Sequence, residues 1–144
     1  MPSLTVEHDN RARVAALLDD GQWLVACLCA AWCDTCTAYR ATFDTLAARH
    51  PQWSFVWIDI EDQADLVGDL DIENFPTLLI QQADTVAFFG HLPADLQVAE
   101  RLLQAQTSSS REQLQRLAGS TPERARWQTE CNLRQRLQSG DSHN

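Results

Sequence analysis

Residues 23–40 read WLVACLCAAWCDTCTAYR. The apolar run from Trp23 to Ala31 has the composition of a strand, closes at Trp32, and delivers Cys33 and Cys36 to a helix start. A cysteine in the first turn of a helix lies near unpaired backbone N–H groups and the positive end of the macrodipole, which favour its thiolate. Cys33 is therefore expected to titrate below the roughly 8.5 of a free thiol. Residues three apart on a helix share a face, so Cys36 is placed to reach the Cys33 sulfur and close a disulfide. The roles that follow are Cys33 as nucleophile, opening a substrate disulfide into a mixed disulfide, and Cys36 as the more buried resolving thiol.

A C-x-x-C pair also occurs as half of a zinc site or as an inert buried pair. Zinc normally takes four ligands, for which Cys27 and Cys29 are the available partners of Cys33 and Cys36. Cys27 and Cys29 lie two apart on the strand, so they face one side, toward the helix that carries Cys36. That setting disfavours a metal-binding module and favours redox chemistry. The two strand cysteines read as small apolar fillers. The sharper alternative makes them reserve thiols able to trap Cys36 under oxidation.

Working outward, NRARVAALL at residues 10–18 places Val14, Leu17 and Leu18 at helical spacing before Asp19, Asp20 and Gly21. Leu4, Thr5 and Val6 suit a short edge strand. Beyond Cys36, the apolar stripe Tyr39, Phe43, Leu46, Ala47 predicts a helix over a sheet, stopped at His50 and Pro51. His50 reads as a helix-end residue and not as a base. WSFVWIDI at residues 53–60 predicts a second buried strand. Seven acids lie between Asp59 and Glu73, with Leu66, Val67 and Leu70 spaced for a short helix. Pro76 precedes the apolar strand Thr77–Ile80 and suits a cis bond, a turn or a strand start. A hairpin through Gln82, Ala83 and Asp84 leads to Thr85–Phe89, Gly90 follows that strand, and Pro93 opens a helix bearing Leu96, Ala99, Leu102 and Leu103. The order contains a right-handed parallel βαβ unit and a late antiparallel hairpin. The predicted fold is α/β, a mixed sheet with helices on both faces.

At this point the chain resembles the thioredoxin family over about residues 10–106. The likeness rests on Trp32-Cys33-Asp34-Thr35-Cys36, on Phe75-Pro76-Thr77 forty residues beyond, and on Gly90 before the last helix of the fold. The resemblance implies a thioredoxin-like fold, a cis Pro76 beside the dithiol, and thiol–disulfide exchange with protein substrates. It makes Trp32, Asp34, Thr35, Phe75 and Pro76 the substrate-facing residues, with the Phe75 backbone free to pair with an extended segment. The sequence also departs from the family. Asp34-Thr35 replaces Gly-Pro, and a carboxylate beside Cys33 opposes its thiolate. The reduction potential is thus expected to differ from the roughly −270 mV of thioredoxin. The buried acid and lysine that thioredoxins keep beneath the dithiol align with Cys27 and Trp57, and the residue after the second cysteine is Thr37. The sequence therefore predicts a site without cationic support, and a Cys36 activated weakly or through water.

The net charge of −9 is unevenly spread, and all eleven basic residues are arginine. Residues 1–103 carry a net −11 and the remainder a net +2. Such a body is a poor ligand for nucleic acid. No signal-like N-terminus and no membrane-length apolar run is evident, so a soluble, cytoplasmic protein is expected. Two regions are expected: a thioredoxin-like domain over 1–106 and a helical extension over 107–144. In the extension Ser110 with Gln113 signals one helix and Thr121-Pro122 a second carrying Trp127, Cys131, Leu133 and Leu137. Thr107–Ser110 reads as a linker and Ser139–Asn144 as a disordered end. Packing of the extension on its own domain, on a partner or in a homodimer remains open at this level, with Trp127 as the anchor. Cys131 reads as incidental.

The function read from the sequence is a thiol–disulfide oxidoreductase acting on protein disulfides and recharged by an unidentified reductase or dithiol. No cofactor is required, because the electrons reside in the dithiol. The rival is a thioredoxin-fold adaptor or chaperone-like module that holds a protein in the proline-side groove and by the tail.

Overall fold

The computed structural model describes residues 3–70, 72, 74–93 and 95–141. Among the described residues five strands form one mixed sheet: β1 (Leu4–Thr5), β2 (Trp23–Cys29), β3 (Ser54–Asp59), β4 (Thr77–Gln82) and β5 (Thr85–His91), in the order β1-β3-β2-β4-β5. β2 pairs parallel with β3 and antiparallel with β4, so it is central, and six of its seven residues are buried. Burial on both faces explains why WLVACLC is apolar throughout and does not alternate. The crossover from β2 to β3 runs through α2 (Asp34–Arg49), which supplies the expected βαβ unit.

The period of two along the strands divides the core. One face joins Val25, Cys27, Cys29, Phe55 and Trp57 to Tyr39, Phe43 and Leu46 of α2 and to Ala99 and Leu103 of α4 (Leu96–Thr107). The other joins Leu24, Ala26, Leu28, Val56 and Ile58 to Val14 and Leu18 of α1 (Arg11–Asp19) and to Leu66 and Val67 of α3 (Ala64–Val67).

Several boundaries differ from the sequence reading. β5 does not stop before Gly90: it runs to His91, because Gly90 and His91 pair with Leu78 and Thr77 of β4. Helix α4 does not open at Pro93. Asp95 caps it instead, its carboxylate accepting the N–H groups of Gln97 and Val98 at 2.8 and 3.3 Å, which satisfies donors that a proline at the start would leave open. Trp53 precedes β3 and stacks on His50 at 4.5 Å. His50 ends α2, as expected, and its Nε2 lies 2.7 Å from a Glu100 carboxylate oxygen.

The extension wraps the β5 edge. Helix α5 (Arg111–Ala118) adds Leu114 to the α2/α4 face, α6 (Pro122–Glu130) passes beside β5, and α7 (Leu133–Asp141) adds Leu133 and Leu137 to the α1 face. Both capping signals are realised: Ser110 and Gln113 form a reciprocal box, and Thr121 accepts from the Arg124 N–H. The Gln128 side chain pairs with Val86 as a neighbouring strand would, accepting its N–H and donating to its carbonyl, both at 2.8 Å. An edge strand's open ladder is thereby covered. Trp127 meets the Phe88 ring edge-on at 5.9 Å, so the anchor binds the parent domain. The expected disorder from Ser139 is corrected in part, since α7 continues to Asp141; residues 142–144 lie outside the described residues.

Candidate active site

β2 ends at Cys29, and the chain crosses Ala30–Trp32 to Cys33, the N-cap residue of α2. Cys33 has extended backbone, its N–H donates to the Ala30 carbonyl at 3.0 Å, and its carbonyl accepts the first helical N–H, from Thr37, at 3.1 Å. These bonds fix a half-buried thiol at the positive end of a sixteen-residue helix. Cys36 lies one turn further and is buried against the sheet.

Opposite stands the loop before β4, where the Phe75–Pro76 bond is cis. Its conformation is held from three sides. Thr77 Oγ1 donates to the Asn74 carbonyl at 2.7 Å, while His91 Nδ1–H and the Leu92 N–H donate to the Pro76 carbonyl at 3.0 and 3.3 Å. Trp32 is 67% exposed and meets Phe75 edge-on at 5.7 Å, which joins the cysteine loop to the proline loop. Among the described residues the Phe75 backbone makes no hydrogen bond, so it is free to pair with an added strand. Asp34 and Thr35 are exposed on the first turn of α2.

The Trp32–Phe75 contact thus brings the segment carrying Cys33, Asp34 and Thr35 against the loop carrying Phe75 and Pro76. The structure does not join Cys33 to Cys36. Cys36 is disulfide-bonded to Cys29, with Cα atoms 5.7 Å apart, and Cys33 is a free thiol. That separation lies within the ordinary range of about 4.4–6.8 Å. The Cys27 sulfur lies 3.8 Å from that of Cys29, so the sulfurs of Cys27, Cys29 and Cys36 form a buried cluster. The filler reading of Cys29 is thus corrected: its side chain shares the α2 face, and Cys36 descends onto it. Among the described residues no group of three or more His, Cys, Asp or Glu side chains is arranged to hold a metal ion.

The fold has independent support. The thioredoxin family model matches residues 4–97. The chain belongs to the thioredoxin family. It is 26% identical over 78 residues to a thioredoxin of Mycoplasmoides gallisepticum, covering 54% of this chain and 78% of that one. Against thioredoxin H4-1 of Oryza sativa subsp. japonica it is 29% identical over 65 residues, 45% of this chain and half (50%) of the rice protein's length. Among solved structures, a poplar thioredoxin h superposes with a TM-score of 0.67 at 17% identity, over 76% of this chain and 100% of the other. The family is one of thiol–disulfide oxidoreductases, and no helix among the described residues is long and apolar enough to cross a membrane.

Beneath Cys33 and Cys36 this thioredoxin-family chain is unusual. Cys27 and Trp57 face each other across β2 and β3. Burial pushes the Cys27 thiol far above its ordinary value, opposed in part by the Arg40 guanidinium, so Cys27 stays protonated and cannot take up a proton. The expected lack of cationic support is corrected, because Arg40 lies 4.8 Å over the Trp57 ring and donates to Thr5 Oγ1 at 2.9 Å. With Cys36, Thr37, Trp57 and Asp59 it lines an open hollow of about 340 Å³ beside Cys36. Asp59 pairs with Cys29 in the β2–β3 register, bringing a carboxylate to this hollow. Arg40 was legible only as the residue one helical turn after Cys36; His91 was legible as the partner of Thr77 once β5 is extended past Gly90.

Proposed function

We propose that this chain is a thiol–disulfide oxidoreductase acting on protein disulfides. Its carrying observation is Cys33, a half-buried free thiol at the N-cap of α2, set beside the cis Phe75–Pro76 loop. An extended substrate segment pairs with the Phe75 backbone and lies against Trp32, which brings its disulfide to Cys33. The Cys33 thiolate attacks one substrate sulfur and the other leaves as a thiolate. Cys36 then displaces the substrate from the mixed disulfide, giving a Cys33–Cys36 bond and the reduced substrate. An external reductase or dithiol returns two electrons. The hollow beside Cys36 admits water to carry its proton to bulk solvent or to Asp59, in place of the buried acid that the family usually keeps. This route is expected to make exchange slower than in thioredoxins with that acid.

The adaptor reading needs a surface with which to hold a protein. The extension is packed on its own domain, with Gln128 occupying the β5 edge at Val86, which favours the redox reading. The test is insulin reduction at pH 7 by the fully reduced protein alongside Cys33→Ser and Cys36→Ser. Turnover lost in both variants supports the reading. Turnover retained in Cys33→Ser, or absent from the reduced wild type, refutes it.

A further inference from the structure

The Cys29–Cys36 bond leaves the nucleophile free in an oxidised molecule, and this pairing carries a consequence for the reaction. We propose that Cys29 is a second resolving thiol, which takes Cys36 from Cys33 and makes Cys29–Cys36 the resting oxidised form. The inference rests on the reading of Cys33 and Cys36 as the redox pair.

The geometry supports exchange among three sulfurs. Cys29 is the last residue of β2, Cys33 the N-cap of α2, and Cys36 a residue of its first turn. Cys36 is thus the common neighbour, one turn from Cys33 and bonded to Cys29. After substrate release, the Cys29 thiolate attacks Cys36 Sγ of the Cys33–Cys36 disulfide. The Cys29–Cys36 bond forms, the Cys33–Cys36 bond breaks, and Cys33 leaves as the thiolate. The proton shed by Cys29 ends on Cys33, so the exchange is also neutral in protons. No electrons are gained or lost, so the exchange needs no further oxidant. Its products are a disulfide withdrawn into the apolar core and an accessible thiol at the helix terminus.

The oxidised protein then differs in kind from an ordinary dithiol enzyme. Cys33 can still open a second disulfide, but Cys36 is engaged and cannot release the product. Oxidised protein is expected to hold its partner as a mixed disulfide until a reductant frees Cys36.

Peptide mapping separates the two pairings, because chymotryptic cleavage after Leu28, Trp32 and Tyr39 yields Cys29–Trp32 and Cys33–Tyr39 as distinct peptides. The full chain is oxidised with diamide, quenched in acid, and its free thiols are alkylated in denaturant. The expected product is Cys29–Trp32 crosslinked to Cys33–Tyr39, with alkylated Cys33. In Cys29→Ala, or in Cys29→Ser should the first variant fold poorly, the expected product is a looped Cys33–Tyr39 peptide. A looped peptide with alkylated Cys29 in the oxidised wild type overturns the inference and leaves the proposed function standing. A Cys29–Cys36 crosslink in wild type, with no Cys33–Cys36 bond and no insulin reduction in either Cys29 variant, overturns both.

Discussion

Arg40 lies 4.8 Å over the indole of Trp57, directly beside the buried cysteines of β2. A guanidinium over a desolvated ring contributes about 0.5–2 kcal/mol. It also sets a positive charge beside the hollow at Cys36, where the proposed resolution step forms a thiolate. Arg40→Met is expected to cost about 1 kcal/mol of stability and to slow release of substrate from the Cys33 mixed disulfide. Arg40→Lys should recover much of the rate and little of the stability, because a point charge replaces the stacked plane. Stopped-flow resolution of a preformed mixed disulfide, read beside urea denaturation, separates these effects; equal release rates for wild type and Arg40→Met would disprove the electrostatic role.

The roles of the two helix cysteines are separable by trapping. Cys36→Ser is expected to accumulate a stable mixed disulfide at Cys33 with a protein substrate, since the displacing sulfur is gone. Cys33→Ser should accumulate none, because Cys36 is buried and already faces Cys29. Non-reducing electrophoresis after incubation with insulin reads the adduct directly. An adduct of equal yield in Cys33→Ser would reverse the assignment.

Most of the fold was legible in the sequence, because a few constraints repeat. The apolar stretch WLVACLC cannot be an edge strand, the Tyr39-Phe43-Leu46 spacing admits only a helix over the sheet, and Pro76 before an apolar strand marks the loop beside the dithiol. The pairing of Cys36 was weighed but not favoured, because spacing along one helix suggests Cys33 while the choice between Cys29 and Cys33 depends on how deeply α2 settles on β2. Arg40 was not found because its meaning is tertiary: only the β2–β3 register brings Trp57 beneath it. The extension's attachment was legible in part: Trp127, Leu133 and Leu137 stand out as its apolar residues, whereas Gln128 and Asn132 bond the β4–β5 hairpin through polar side chains that carry no hydrophobic period.

Acid stability follows from two carboxylates. The Arg11 guanidinium, itself buried and bonded also to Gln63, hydrogen-bonds Asp65 at 2.8 and 3.0 Å and holds its pKa down at about 2. Hydrogen bonding from Arg136 lowers that of Asp69. A carboxyl whose folded pKa is depressed binds its proton more readily in the unfolded chain. Its contribution is therefore complete above the ordinary carboxylate range and is lost as pH falls through that range toward the folded value. Wild-type stability is expected to decline between about pH 5 and pH 2. Asp65→Asn should be less stable at pH 7 and show a shallower decline, as read by urea denaturation at a series of pH values. An unchanged slope in that variant would remove Asp65 from the account.

The hairpin turn at Ala83 offers a stabilising change. Ala83 has φ of 50°, the left-handed region that a side chain disfavours by about 1–2 kcal/mol. Glycine relieves that cost but adds unfolded-state freedom worth about 0.4–1 kcal/mol. Ala83→Gly is thus expected to gain on the order of 0.5–1 kcal/mol, seen as a higher urea midpoint at unchanged slope. A lower midpoint would show that the turn does not hold this backbone in solution.

Asn132 decides whether the extension is integral to the domain. It is buried, donates to the Asp84 carbonyl and carboxylate at 3.0 and 2.9 Å, and accepts from Gln81 Nε2 at 2.8 Å. Gln81 in turn accepts the Leu133 N–H at 2.9 Å, so the hairpin and the start of α7 are bonded through two fully buried amides. Cutting one partner leaves buried polar atoms unpaired, at about 1–3 kcal/mol. Leu137→Ala, which empties a site between α7 and α1, is expected to cost about 2–5 kcal/mol. Because α7 shares one core with α1 and the sheet, Asn132→Ala and Leu137→Ala should both lower the midpoint of a single cooperative transition. A separate early transition for the extension, with the domain's own midpoint unmoved, would instead show α5–α7 to be a detachable arm, able to expose the β5 edge that Gln128 covers.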